Sequence, residues 1–365
     1  MNRDIVVIGA SAGGVECLTE IVRGLPADFP AAVFVVLHIS PHSMSVLPQI
    51  LERSGHLPAI HPTDGDPIQR GRIYIAPPDH HLLIEGSCVR VLRGPRENGH
   101  RPAVDPLFRT AARYYGPRVI GVVVSGALDD GTAGLMAVKA RSGLALVQNP
   151  REALHHGMPD SAVQNVEVDQ ILSLKEIAPA LVELVAETVE VQSSPVTEAM
   201  KMETDIMGTD MGLVDHDERP GVPSSYTCPE CHGALYELAD GKMVRYRCRV
   251  GHAFSPDSLL AEQAQSLEAA LWIALRALEE SSSLARRVAD RAKANHQGMP
   301  ASRFEERAAE ADLHAAAIRD VLLGNRNIAA PLGDLHGEAN GSVDGNSSGE
   351  SRQNIEIEPT NSGNS

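Results

Sequence analysis

Asp4-Ile5-Val6-Val7-Ile8-Gly9-Ala10-Ser11-Ala12-Gly13-Gly14 decides how the first half of this sequence reads. Four consecutive apolar residues, Ile5 to Ile8, fit a strand buried on both faces. A glycine-rich turn follows at once, and residues 15–22 can continue as a helix. Strand, turn and helix in that order put the turn at the carboxyl end of a strand, where open α/β sheets place their sites. Ser11 stands in the middle of the turn, uncrowded by Gly9, Gly13 and Gly14.

The same alternation runs on to about residue 187. Residues 32–37 (AVFVVL) read as a second buried strand, ending at His38. Residues 72–76, 119–124 and 144–147 read as further strands. Residues 46–51, 105–115, 132–140 and 174–189 read as helices, and 81–92 as a hairpin. Continuous apolar strands separated by helices predict an α/β fold: a doubly wound, mostly parallel sheet with an inserted antiparallel hairpin. A small zinc ribbon and a helical pair are expected to follow it.

Composition divides the 365 residues into parts. Residues 1–190 form the α/β domain. Residues 191–225 lack periodicity and are acidic, so they read as a flexible linker. Residues 226–254 form a cysteine-bearing module. Residues 255–323, rich in Ala, Leu, Glu and Arg at helical spacing, read as a helical pair divided near residues 295–302. Residues 324–365, rich in Gly, Ser and Asn, read as a disordered tail. The formal net charge of −16 is concentrated in the linker and the tail, which argues against nucleic acid as a partner. Neither a signal peptide nor an apolar stretch long enough to span a membrane is found. The chain is therefore expected to be cytoplasmic, without membrane insertion.

A serine hydroxyl becomes a good nucleophile when a base takes its proton and a third group orients that base. His38 ends the second strand, and Asp129 and Asp130 lie in the loop after the strand at 119–124. If these strands are parallel, Ser11, His38 and one of the two aspartates meet at one sheet edge. Backbone N–H groups near Ala12 and Gly13 are candidates to stabilise an oxyanion. Taken by itself, a glycine-rich turn after a first strand more often holds a phosphate or dinucleotide than a nucleophile. Against that reading, the G-x-G-x-x-G order and a P-loop lysine are both absent. On residue types and spacing alone the two readings stay open.

Among the five cysteines, Cys228 and Cys231 form one close pair, and Cys248 with His252 forms another. Two such pairs held apart by a short hairpin offer four ligands to a tetrahedral zinc ion. With all four positions filled by protein, the expected zinc is structural. Its removal is expected to unfold residues 226–254 and to spare the α/β domain.

Several stretches resemble the chemotaxis protein-glutamate methylesterases, the CheB family. They are residues 8–14, the His38 strand end, residues 73–81 (IYIAPPDHH), 101–108 (RPAVDPLF), Ser125-Gly126 through Asp130-Gly131, and Gly157-Met158-Pro159. The resemblance implies that Ser11 is the nucleophile, His38 the general base and Asp130 the residue that orients it. It implies hydrolysis of γ-glutamyl methyl esters on chemoreceptors with release of methanol, deamidation of receptor glutamines as a second activity, and no cofactor for catalysis. It also implies a methylated chemoreceptor as partner, with a receptor methyltransferase as a further candidate. Three departures from the family pattern stand out. There is no room for a receiver domain before Ile5, so control by phosphorylation in cis is not expected. Ala12 stands where a threonine is common. Leu128-Asp129 replaces Gly-Asn, which makes Asp129 a candidate substrate contact. The rival expectation is a regulatory or scaffold protein of a chemosensory pathway whose catalysis has been altered.

Overall fold

A computed structural model describes residues 1–42, 44–189, 195–208, 221–240 and 243–324. All of these belong to one compact unit, Met1–Leu332. The expected tail beyond residue 324 lies outside the described residues.

In chain order the first part contains β1 (Ile5–Ala10), α1 (Gly14–Arg23), β2 (Ala32–Leu37), α2 (Leu47–Ser54), β3 (Ala59–Ile60) and β4 (Ile73–Ile75). Then come β5 (His81–Glu85), β6 (Cys88–Leu92), α3 (Val104–Tyr115), β7 (Val119–Val123), α4 (Thr132–Ala140), β8 (Leu144–Gln148), α5 (Gly157–Asn165), β9 (Gln170–Leu172) and α6 (Leu174–Ala186). Seven strands form one sheet in the order β3-β4-β2-β1-β7-β8-β9. Every pairing in it is parallel. β5 and β6 form the separate antiparallel hairpin. The α/β fold class expected from the sequence is the one observed.

Continuous apolar runs are required because helices cover both faces. Val6 and Ile8 of β1 pack with α1, α2 and α6 on one face. Ile5 and Val7 pack with α3, α4, α5 and the hairpin on the other. Burying each such side chain contributes about 1.5–3 kcal/mol, so a polar residue on either face of β1 would be costly.

The chain order runs outward from β1 in both directions, through β2 on one side and β7 on the other. β1 and its two neighbours therefore flank the point where the winding reverses. Crevices form at such points, at the carboxyl ends of the strands. Ser11 follows β1, His38 follows β2, and Asp129 and Asp130 follow β7.

The second part contains α7 (Glu198–Gly208), β10 (Val222–Thr227), β11 (Ala234–Asp240), β12 (Met243–Cys248), β13 (Ala253–Phe254), α8 (Pro256–Ala294) and α9 (Gly298–Gly324). The four strands form an antiparallel sheet in sequence order. The flexible-linker expectation for 191–225 is corrected here: α7 and the start of β10 fall inside it. α7 is held by charge rather than by an apolar stripe. Glu203 is buried and pairs with Arg245 of β12 at 2.5 Å and with Arg109 of α3 at 3.3 Å. No helix among the described residues is long and apolar enough to cross a membrane.

Candidate active site

Ser11 leaves β1 with its N–H donated to the carbonyl of Ser125, 3.0 Å away, so the turn is locked to the strand end of β7. Gly13 then takes φ 72° as the N-cap of α1. A side chain there would be strained, and its Cβ would stand 2.9 Å from Ser125 Oγ. The Ser125 hydroxyl donates to the Ala12 carbonyl at 2.8 Å and accepts the His155 N–H at 3.0 Å. The turn is thus fixed from two sides.

His38 Nδ1 lies 3.1 Å from Ser11 Oγ, and His38 Nε2 lies 2.7 Å from Asp130 Oδ2. A carboxylate accepts, so Nε2 carries the proton and Nδ1 is the free base facing the serine. Asp130 is 2 % exposed. Its Oδ2 also accepts the Val104 N–H at 2.6 Å. Its Oδ1 accepts Gly131 N at 3.0 Å, Asp105 N at 3.2 Å and Asn98 Nδ2 at 3.0 Å. Val104 and Asp105 begin α3, so Asp130 takes up two of that helix's orphan donors and sits at its positive end. Burial opposes ionisation of Asp130. The His38 hydrogen bond and charge, with the Val104 N–H, outweigh it and hold this carboxyl well below the usual range.

Asp105, buried beside it, responds in the opposite direction. Burial first, then the charge of Asp130, raises its carboxyl to about 8. His100 stacks on His38 with ring centroids 3.7 Å apart. Burial, reinforced by His38, lowers His100 to about 4. It is therefore neutral near pH 7 and does not oppose a proton on His38.

A cavity of about 480 Å³ opens over this chain, lined by Ser11, Ala12, His38, Arg96, His100 and Arg101 among others. Ala12 is in it, and the N–H groups of Ala12 and Gly13 make no hydrogen bond to another described residue. Asp129, the candidate substrate contact, is not among the lining residues. It is 4 % exposed and accepts the Ser255 hydroxyl at 2.8 Å. Burial raises its carboxyl to about 7, with the Ser255 bond pulling the other way. The reason is local: Asp130 turns toward His38, and its neighbour turns away, toward the start of α8.

Sequence reasoning did not single out Asn98, His100 or Ser125 for the site. Asn98 and His100 lie just before the 101–108 stretch, on either side of Gly99. Gly126 has a steric role. A Cβ there would stand 2.1 Å from Met158 Sδ and 2.9 Å from Ser11 Cβ. Gly126→Ala is expected to slow ester hydrolysis on the order of tenfold by displacing Ser11, a loss that steady-state rates would show.

The ligand atoms of Cys228, Cys231, Cys248 and His252 all lie within 4.8 Å of one another. Cys231 Sγ is 3.6 Å from Cys248 Sγ, and His252 Nδ1 is 3.5 Å from Cys248 Sγ and 3.7 Å from Cys228 Sγ. This Cys3His cluster can hold a metal ion.

Fold and geometry together define an α/β protein with a serine, a histidine and a carboxylate in one hydrogen-bonded line at the switch point of a parallel sheet. Residues 6–181 match the CheB methylesterase family model, and the chain belongs to that family. A relative from Leptospira interrogans is 38 % identical over 185 residues, which is 50 % of this chain and 96 % of the relative. Protein-glutamate methylesterase/protein-glutamine glutaminase 2 of Anaeromyxobacter dehalogenans is 40 % identical over 181 residues, 50 % of this chain and 53 % of its own. The solved catalytic domain of the Thermotoga maritima CheB methylesterase shares 33 % identity over 51 % of this chain and all of its own, with a TM-score of 0.49.

Proposed function

We propose that this chain is a serine hydrolase that removes methyl esters from glutamate side chains of chemoreceptors and releases methanol. Ser11 is the nucleophile, His38 the general base and Asp130 its orienting acid. The line Ser11 Oγ–His38 Nδ1–His38 Nε2–Asp130 Oδ2, at 3.1 and 2.7 Å, carries this reading.

Ser11 Oγ attacks the ester carbonyl carbon, and its proton passes to His38 Nδ1. The negative charge gathers on the carbonyl oxygen, within reach of the Ala12 and Gly13 N–H groups. The carbon–methoxide bond then breaks, and the leaving oxygen takes the proton from His38 as methanol. Water attacks the acyl-enzyme with its proton going to His38. Ser11 recovers that proton as the glutamate side chain departs as its acid, which gives its remaining proton to water and becomes the carboxylate. With a glutamine side chain the same steps expel ammonia. Asp130 stays ionised throughout and stabilises the imidazolium.

The Cys3His cluster fits Zn²⁺. Ligands at about 2.3 Å for sulfur and about 2.0 Å for nitrogen, set tetrahedrally, stand about 3.8 Å (S–S) and about 3.5 Å (S–N) apart. The observed spacings lie close to these. Bound there, the ion would tie the β10–β11 turn, which carries Cys228 and Cys231, to the end of β12 and the turn before β13, which carry Cys248 and His252, and would take no part in hydrolysis. On this reading the chain works in the cytoplasm, as the sequence leads one to expect.

The test is methanol release from methylated receptor helices, with Ser11→Ala as the blank. Release by the intact chain above that blank is expected. Equal release from both would overturn the reading.

A further inference from the structure

The segment Arg96–His100 lies between the C-terminal module and the loop that carries Asp130. On its outer side the Ala253 N–H donates to the Arg96 carbonyl at 3.3 Å, and the Asn98 N–H donates to the Ala253 carbonyl at 2.8 Å. Glu97 accepts Arg247 of β12 at 2.9 Å. On its inner side the Asn98 amide reaches two carboxylates, Asp130 Oδ1 and Asp105 Oδ2, each at 3.0 Å.

The other end of that amide meets the start of α8. Asn98 Oδ1 accepts the Ser255 N–H at 3.1 Å and the Ser258 hydroxyl at 3.0 Å. Ser255 is the N-cap of α8 and forms a capping box with Ser258. The orientation of the amide follows from chemistry alone. The ionised Asp130 carboxylate can only accept from it, and the Ser255 backbone N–H can only donate to it. All four of its hydrogen-bonding places are filled, two on each side. Asn98 is 5 % exposed and has φ 51°, a left-handed conformation that asparagine tolerates better than most residues. The consecutive residues Asp129 and Asp130 are thus both tied to the first turn of α8, the first directly through Ser255 Oγ and the second through Asn98.

We propose that Asn98 is a positioning residue for Asp130, and that Ser255 and Ser258 position Asn98, so that the C-terminal module completes the active site. This rests on the triad roles given above. It departs from the expectation that unfolding residues 226–254 by zinc removal would spare the α/β domain. Without Asn98, Asp130 Oδ1 keeps two backbone donors, while Asp105 Oδ2 loses its Asn98 donor. The Asp130 loop then gains freedom, and His38 is aimed less well.

The experiment follows covalent labelling of Ser11 by an alkyl fluorophosphonate probe in the full chain. Wild type, Asn98→Ala, the pair Ser255→Ala with Ser258→Ala, and the triple variant are compared. The rate of the bound labelling step is expected to fall on the order of tenfold in Asn98→Ala and in the serine pair. The final extent of labelling and the probe concentration for half-saturation should stay as in wild type, which a merely unfolded fraction would not produce. The triple variant should lose no more than the worse of its parents, because both act along one chain of contacts. Unchanged rates in Asn98→Ala and in the serine pair would overturn the proposal. A loss in the triple variant equal to the product of the two would overturn the link between α8 and Asn98. Absence of labelling in wild type would overturn the triad reading, and this inference with it. If Asn98→Ala fails to reach full labelling, the serine pair, outside the 6–181 family match, carries the test.

Discussion

Asp130→Asn is expected to lower the rate of ester hydrolysis about 10⁴-fold, with little change in substrate affinity. Both carboxylate oxygens of Asp130 face donors. Oδ1 meets three N–H groups, from Gly131, Asp105 and Asn98. Oδ2 meets two, from Val104 and His38. An amide NH2 must replace one of them. At Oδ1 it would confront three donors, none of which can change its character. At Oδ2 it would confront two, and one of these belongs to a ring that can shift its proton. The asparagine therefore settles with its NH2 toward His38. His38 answers by accepting at Nε2 and carrying its proton on Nδ1, the atom that faces Ser11. A protonated Nδ1 cannot take the serine proton, so the nucleophile is stranded while the cavity is unchanged. Steady-state kinetics on the methyl ester, with Ser11→Ala as the floor, would measure this. A loss under about tenfold would mean that Asp130 does not orient His38.

The sheet was legible because each central strand is buried on both faces and so must be apolar without a break. Residues 5–8, 32–37 and 119–123 say this plainly, and the turn after the first of them follows from its glycines. Ser11, His38 and the Asp129–Asp130 pair were legible as strand-end residues. The choice between the two aspartates came from family resemblance, because adjacent loop residues diverge and nothing local says which one turns inward. α7 was not legible. Its buried Glu203 depends on Arg109 and Arg245, dozens of residues away on either side, and an acidic stretch without those partners would stay solvated. Asn98 was hidden for the same reason. Its four side-chain partners come from three other parts of the chain, and only the fold assembles them.

Glu97→Ala is expected to destabilise the protein by about 3–5 kcal/mol, seen as a lower denaturation midpoint and a melting temperature about 10 °C lower. Glu97, Arg109 and Arg247 have side chains only 1 %, 3 % and 4 % exposed. Arg109 Nη2 donates to both oxygens of Glu97 at 2.6 Å, and Arg247 Nη2 donates to Oε1 at 2.9 Å. One carboxylate thus ties α3 of the family domain to β12 of the C-terminal sheet. Burial opposes its ionisation, but the charges of Arg109 and Arg247 prevail and lower its carboxyl to about 2. The folded value is below the ordinary 4.5. Its stabilisation is therefore fully present above pH 4.5 and is lost as the pH falls toward about 2, a term of about 3 kcal/mol. Alanine removes that term at neutral pH and leaves two guanidinium groups buried with Glu203 nearest to balance them. Glu230→Ala is the contrast. It breaks a single 3.1 Å bridge to Arg96, whose side chain is 37 % exposed, and water takes up the freed guanidinium at a cost of less than about 1 kcal/mol. Equal effects from the two variants would show that the buried network does not hold the C-terminal sheet in place. A large loss confined to Glu97→Ala would show that it does.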